Sequence, residues 1–323
     1  MVVDEYIVGR PARISREAPV LILHHVDTFI RPGGATNAAH NFAALGARTA
    51  VIGVIGDDET GARLRAMLGD IGIDVSGLIV DPSRPTSTKT RVLGKGTQEV
   101  QQQIVRIDRV DSSNVEGRLR DRMIDAFRRA LPDIDAVLIS DYEIGVISPE
   151  IVEACLPAAA SSGIVVTVDS HGDLFRFHGV TAATPNQPEA EATVGFPISS
   201  EEDLCRAGER LLGGMEARGV LITRGSEGIA LFERSREPYL LPVSTAHPLE
   251  VVDPNGAGDT VSAVFTLALA GRSDMREAAF LANVAGGEVV RHAGPVALTP
   301  AQLKAALRRT RLQGPAETYN EAP

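Results

Sequence analysis

The sequence has no run of basic residues, no apolar stretch long enough to cross a bilayer and only two cysteines. Each absence removes a class of function. With 42 acidic residues against 32 basic ones and a formal charge of −10, no basic stripe offsets the acidic surface. A general binder of nucleic acid or of anionic membranes is therefore excluded. Small anions remain open, because a local pocket can be positive on an acidic protein. Cys155 and Cys205 sit in helical stretches without C-x-x-C or His-rich spacing, which points to reduced, structural thiols rather than zinc or a disulfide framework. No window approaches about 18 uncharged apolar residues. Asp4, Glu5, Arg10 and Arg13 stand where a signal peptide would need an apolar run. The expectation is a cytoplasmic protein without a membrane partner. Internal repeats and low-complexity tracts are missing as well.

What is present is a chain of 323 residues with 44% hydrophobic content, enough to fill a sizeable core. Short β-branched runs, TAVIGVIG (49–56), DAVLIS (135–140), IVVTVD (164–169) and GVLITRG (219–225), alternate with helical patterns such as VEGRLRDRMIDAFRRAL (115–131). That alternation predicts an α/β fold with a mostly parallel central sheet and helices on both faces, whose ligands gather at the carboxyl ends of the strands. Two segments, about 5–32 and 86–108, read as strands and hairpins without covering helices, and are expected to form a small β-sheet lid or an oligomer surface. The main domain is placed at 1–311, with a frayed tail at 312–323 that has little to bury.

The densest signal is VVDPNGAGDTVSAVFTLALAG (251–271). A glycine-rich turn that opens a helix leaves backbone N–H groups unpaired, and with the helix dipole they attract an anion. Gly256, Ala257 and Gly258 are small enough to let a phosphate approach. An aspartate at that spot repels the same anion, so Asp259 needs another role, and a general base that deprotonates an attacking hydroxyl is the economical one. A helix cap is the plainer alternative for a lone Asp-Thr pair. The all-round apolar helix that follows would then be a buried rod fixing the turn.

Asp253 through Thr260 resemble the D-x-x-G-A-G-D-x signature of the ribokinase, or PfkB, family of carbohydrate kinases, with Asn255 where the family usually carries threonine. The resemblance implies a ribokinase-like fold, ATP and Mg2+ as cofactors, Asp259 as catalytic base and residues 256–258 as anion hole. RPGGATNAAHNFAALGA (31–47) then resembles the sugar-binding signature, so Gly33, Gly34 and Asn37 would contact substrate hydroxyls together with Asp4. ATPNQPEAE (183–191) carries the N-x-x-E unit, in which Asn186, Gln187, Pro188 and Glu189 would lie on the nucleotide side. Asn186 and Glu189 would be nearest magnesium, a hard cation that prefers such oxygens. Thr223, Gly225 and Gly228 in ITRGSEG, and Asn283 in FLANVAGGEVV, match the positions that line ATP.

Within the family the phrases GRPARISREAPVLIL, TSTKTRVL, QQQIVRID and SDYEIG resemble the subgroup that phosphorylates D-glycero-β-D-manno-heptose 7-phosphate to the 1,7-bisphosphate in ADP-heptose synthesis. Bacterial members are often fused to a nucleotidyltransferase; the chain ends before one, and a separate protein is expected to supply that step. Ile144, His171 and His292 replace lysines of the subgroup, and neither side chain substitutes for a cationic point charge at neutral pH. Lys89, Arg91 and Arg106 remain as candidate phosphate ligands. An unphosphorylated sugar or polyol as substrate, or a non-catalytic sugar or nucleotide sensor, stays open. The family's first apolar strand would finish at Met1, so one core strand and a substrate-side acid are expected to be absent. The resemblance also implies a homodimer through the β lid.

Overall fold

The computed structural model describes residues 1–96, 101–243, 252–292, 294 and 296–312; the expected tail beyond Leu312 lies outside them. Strands β1 (Val2–Ile14) and β2 (Leu21–Gly33) form a long antiparallel hairpin, followed by α1 (Ala35–Ala44), β3 (Ala50–Gly56), α2 (Glu59–Asp70) and β4 (Asp74–Asp81). Next come β5 (Ser87–Lys95), β6 (Gln101–Arg109), α3 (Gly117–Ala130), β7 (Ala136–Asp141), α4 (Pro149–Ser162) and β8 (Val165–Ser170). The remainder is β9 (Ala182–Ala183), α5 (Gln187–Val194), α6 (Glu201–Gly214), β10 (Gly219–Thr223), β11 (Ile229–Glu233), β12 (Tyr239–Leu241), α7 (Ala257–Ala270), α8 (Met275–Val289) and α9 (Pro300–Leu312).

The fold is α/β, with the central sheet that the sequence predicts. A six-stranded sheet runs in the order β12-β11-β10-β9-β8-β7, parallel from β7 to β10 and antiparallel beyond. Helices cover both faces, as the strand–helix alternation predicts. One core joins Met123, Phe127, Leu156, Leu204 and Leu211 of α3, α4 and α6 to Val166, Val168 and Ile222 of the sheet. The other packs Val264, Phe265, Ala278 and Ala282 of α7 and α8 on Leu221 and Leu231. The pair β3–β4 forms its own two-stranded sheet, though Val54 and Ile79 share the first core. The Met1 amino group donates to the Val54 carbonyl at 2.6 Å.

A four-stranded sheet, β2-β1-β5-β6, stands apart from the central one. Its register sets Asp4 beside Lys89 on one flank and Arg31 on the other. Ile14, Leu21, Val26, Ile104 and Ile107 remain exposed on these strands.

Side chains close the starts of α2, α5, α6 and α8. Asp58, Ser200 and Asp274 accept from the first turns of α2, α6 and α8, and Asn186 with Glu189 forms a capping box at α5. Helix α7 differs. Its cap residue is Gly256 in the left-handed region (φ 80°), and no side chain closes its first turn.

Candidate active site

The open turn of α7 faces the elements that carry the other sequence-predicted groups. Asp259 lies in that first turn and is 6% exposed. Asn37, in the first turn of α1, donates from Nδ2 to Asp259 Oδ2 at 2.7 Å, and the Tyr142 hydroxyl donates to Oδ1 at 2.7 Å. Two donors from distant parts of the chain thus hold one carboxylate. Burial pushes the Asp259 carboxyl up to about 6; the Asn37 and Tyr142 hydrogen bonds oppose the rise, Asp4 adds to it and His171 works against it. A base of that strength is ionised at neutral pH yet still able to take a proton. A Cβ built on Gly258 would meet nothing within 4 Å, so space opens in front of the turn. Ala257 N–H is used by the Pro254 carbonyl.

Residues of the lid side come close to the same carboxylate. A Cβ on Gly33 would lie 2.7 Å from the Asp4 carboxylate, and one on Gly34 (φ 52°) 2.8 Å from the Tyr142 ring. Both positions therefore require glycine for close approach. Asp4 is buried and ion-paired with buried Arg91. Lys89 sits 4.6 Å over the Tyr142 ring, and burial lowers its pKa, Asp4 opposing. Arg106, opposite Arg91 in the β5–β6 ladder, is exposed and bidentate to Asp108. Asp4, Gly33, Gly34, Asn37, Lys89, Arg91 and Asp259 thus come together, whereas Arg106 stays at the margin.

On the other flank, Asn186 and Glu189 bond to each other's backbone in the α5 capping box, at 2.9 and 2.8 Å, with Gln187 and Pro188 forming its first turn. Glu189 also meets His171 Nδ1. Asp169, half-buried at the end of β8, is pushed up to about 7 by burial first and then by the charges of Asp259 and Glu189. Asp169, Asp259 and Glu189 are close enough for their charges to act on one another, and carboxylates gathered in this way are the donor chemistry a hard cation fits. Among the described residues no group of three or more His, Cys, Asp or Glu side chains could hold a metal ion alone. Magnesium bound chiefly through nucleotide phosphates and water requires no such cage.

Thr223 at the end of β10 bridges to Asn186, which joins the ITRGSEG loop to the N-x-x-E turn. Gly225 has open space at its Cβ position. Gly228 (φ 86°) would clash with the Leu241 carbonyl, so its glycine is required by the backbone. Asn283 donates to the Pro242 carbonyl at 2.7 Å, which ties α8 to the segment after β12. Of the lysine replacements, His171 caps the acidic flank, Ile144 lies in the loop after β7, and the buried Nε2 of His292 has no hydrogen-bond partner among the described residues. Reasoning from the sequence missed Tyr142 and Asp169. Tyr142 follows the carboxyl end of β7 and Asp169 lies at that of β8, and this position at the ends of parallel strands was the available signal.

A family model described as pfkB family carbohydrate kinase matches residues 3–302. Curated relatives include the "Bifunctional protein HldE" of Geobacter sulfurreducens, 40% identical over 99% of this chain and 64% of its own length. That of Geobacter metallireducens is 41% identical over 94% and 60%. The chain therefore spans about three fifths of the length of these relatives. Among solved structures, phosphofructokinase-2 from Escherichia coli in complex with potassium superposes with a TM-score of 0.77 at 19% identity, covering 96% of both chains. Arabidopsis thaliana ribokinase complexed with ribose and ATP gives 0.73 at 22%, with the same coverage. These likenesses carry the fold.

Proposed function

The chain belongs to the pfkB family of carbohydrate kinases, and on that premise we propose that it transfers the γ-phosphoryl group of ATP to the anomeric hydroxyl of D-glycero-β-D-manno-heptose 7-phosphate. The observation that carries the reading is the meeting of Asn37 with Asp259 at the uncapped first turn of α7. Asn37 and Gly33, beside Asp4, hold the sugar so that its hydroxyl reaches Asp259. As the new O–P bond forms and the bond to the β-phosphate oxygen breaks, the hydroxyl proton passes to the Asp259 carboxylate. Backbone N–H groups near Gly258 stabilise the charge on the migrating group. Asn186 and Glu189 would hold magnesium together with the nucleotide, and the ion would supply neutralisation of phosphate charge. Thr223 and Gly225 border the nucleotide, and Asn283 fixes the segment over it. The lid of β1, β2, β5 and β6 excludes water, and its exposed apolar residues support pairing of two lids in a homodimer.

The relatives at about 40% identity support the heptose phosphate. A specific observation favours a second reading, an unphosphorylated sugar. Arg91 and Arg106 are engaged by Asp4 and Asp108, and Ile144 offers no charge. Release of ADP against a panel of sugars and sugar phosphates separates the two. Turnover of a free sugar with heptose 7-phosphate at background would overturn the first. Asp259→Asn is expected to lower turnover by about 10²- to 10⁴-fold while nucleotide binding persists; unchanged turnover would remove Asp259 as base.

A further inference from the structure

Asp259 has a second tether whose origin lies in a loop no catalytic signature covers. Strand β7 ends at Asp141, a buried carboxylate that accepts from Ser170 Oγ at 2.9 Å, from Arg176 Nη2 at 2.6 Å and from the Glu143 N–H at 3.1 Å. The Asp141 carbonyl accepts from the His171 N–H at 3.0 Å. These bonds lock the loop to the end of β8. Glu143 takes a left-handed conformation (φ 54°), as does Gly145 (φ 69°), and a non-glycine residue holds such a backbone only where its surroundings impose it. Tyr142 lies between the locked aspartate and the strained glutamate. Its backbone is thus fixed before any substrate arrives.

The side chain is equally constrained. The ring packs against Gly34, meets the His171 ring edge-on at 4.4 Å and carries the Lys89 ammonium over its face. Its hydroxyl reaches Asp259 Oδ1. Burial and the Asp259 charge raise the Tyr142 pKa well above its usual value, so the hydroxyl keeps its proton and donates. With Asn37 on Oδ2, the carboxylate plane has one orientation. Other charged groups near Asp259 are Asp4 from β1, Asp169 from β8 and His171 from the loop after β8.

We propose that Tyr142 is a positioning residue of the phosphoryl transfer, orienting the Asp259 carboxylate and keeping it ionised through its hydroxyl, while its ring joins the base to the lid. The proposal rests on Asp259 being the base. Its test is Tyr142→Phe in the full chain, which removes the hydroxyl and keeps the ring. Initial rates are measured from pH 5 to 9 by ADP release, with the sugar from the panel that turns over fastest. The expected result is a fall in kcat of about 10- to 100-fold at pH 7, the scale of one hydrogen bond to a charged group. KM for the sugar should stay within about threefold, and the acid limb of the kcat/KM profile should move up by about one pH unit, since loss of a donor favours the protonated carboxyl.

An unmoved acid limb, or a loss confined to KM, overturns the role. The double variant Asp259→Asn/Tyr142→Phe adds a readout independent of folding. A residue acting through Asp259 adds little further loss in the Asn background, whereas full additivity refutes the proposal. Failure here is distinct from failure of the base assignment. Asp259→Asn with full turnover would sink the base, while a crippled Asp259→Asn beside an unmoved limb in Tyr142→Phe would sink only the tyrosine.

Discussion

Replacing Asp169 by asparagine is expected to stabilise the protein, and only at neutral to alkaline pH. Its carboxyl is raised from an ordinary 3.8 to about 7, chiefly by burial and then by Asp259 and Glu189. Between these values the folded state binds the proton more tightly than the unfolded chain, so stability falls as pH rises through the window, and the cost is complete above pH 7. At about 1.4 kcal/mol per tenfold in proton affinity the ceiling is about 4 kcal/mol. Asp169 retains some solvent contact, which screens the repulsion and brings the expected gain at pH 8 to about 2 kcal/mol. The amide keeps an acceptor for the Ser262 hydroxyl and turns its NH2 towards the carboxylates, so it leaves no new unpaired group. For a chain of 323 residues, that gain raises Tm by about 3 °C. Urea unfolding at pH 4.5 and 8 measures it: the curves of the two proteins should nearly coincide at the lower pH and separate at the higher. Destabilisation at pH 8, or an offset equal at both pH values, would refute the electrostatic account. A carboxylate that costs folding energy where an amide would not is better explained by the site it lines than by the fold.

Gly34→Ala should lower activity together with stability, by about 1 to 3 kcal/mol in chemical denaturation. A Cβ there must hold φ near 52° and would lie 2.8 Å from the Tyr142 ring; a silent substitution would mean that the loop yields freely. Arg91→Met should destabilise by about 3 to 5 kcal/mol, since it strands the Asp4 carboxylate without its buried partner. Adding Asp4→Asn should restore much of that loss, and a double variant as unstable as the single one would argue that packing of the arginine stem dominates.

The parts of the fold legible in the sequence are those written in consecutive residues. Short β-branched apolar runs alternating with helical patterns marked β3, β7, β8 and β10, because strands of a helix-covered parallel sheet are largely apolar. G-A-G-D-T placed Gly256 at the cap and Asp259 in the first turn of α7, since three or four residues suffice to fix a helix start. The same locality made Asn37 readable in the first turn of α1. Pairings were not readable. Asn37 meets Asp259 across 222 positions and Tyr142 meets it across 117, distances over which only the sheet order decides who is adjacent. The cations show the same limit. Arg91 and Arg106 look alike as candidate phosphate ligands, yet one is ion-paired with buried Asp4 across two strands and the other with exposed Asp108 on its own strand. Gly228 reads as a nucleotide-loop glycine, while the backbone explains it by the approach of Leu241.

The charges around Asp259 link these local and distant features. Arg91 neutralises Asp4 and His171 meets Glu189, whereas Asp169 and Asp259 have no ion pair among the described residues. Both are therefore driven towards protonation. For Asp259 this opposes the proposed role of base, and the donors on its two oxygens are what hold it near 6 rather than higher. The anion-attracting turn of α7 acts in the same direction, since unpaired N–H groups at a helix start favour negative charge. A cation arriving with the nucleotide would lower the repulsion further and leave Asp259 a weaker base but a more fully ionised one. The resting protein thus sits where its carboxylates answer to whatever positive charge enters, and that coupling follows from the meeting of β8, α5 and α7 rather than from any single motif.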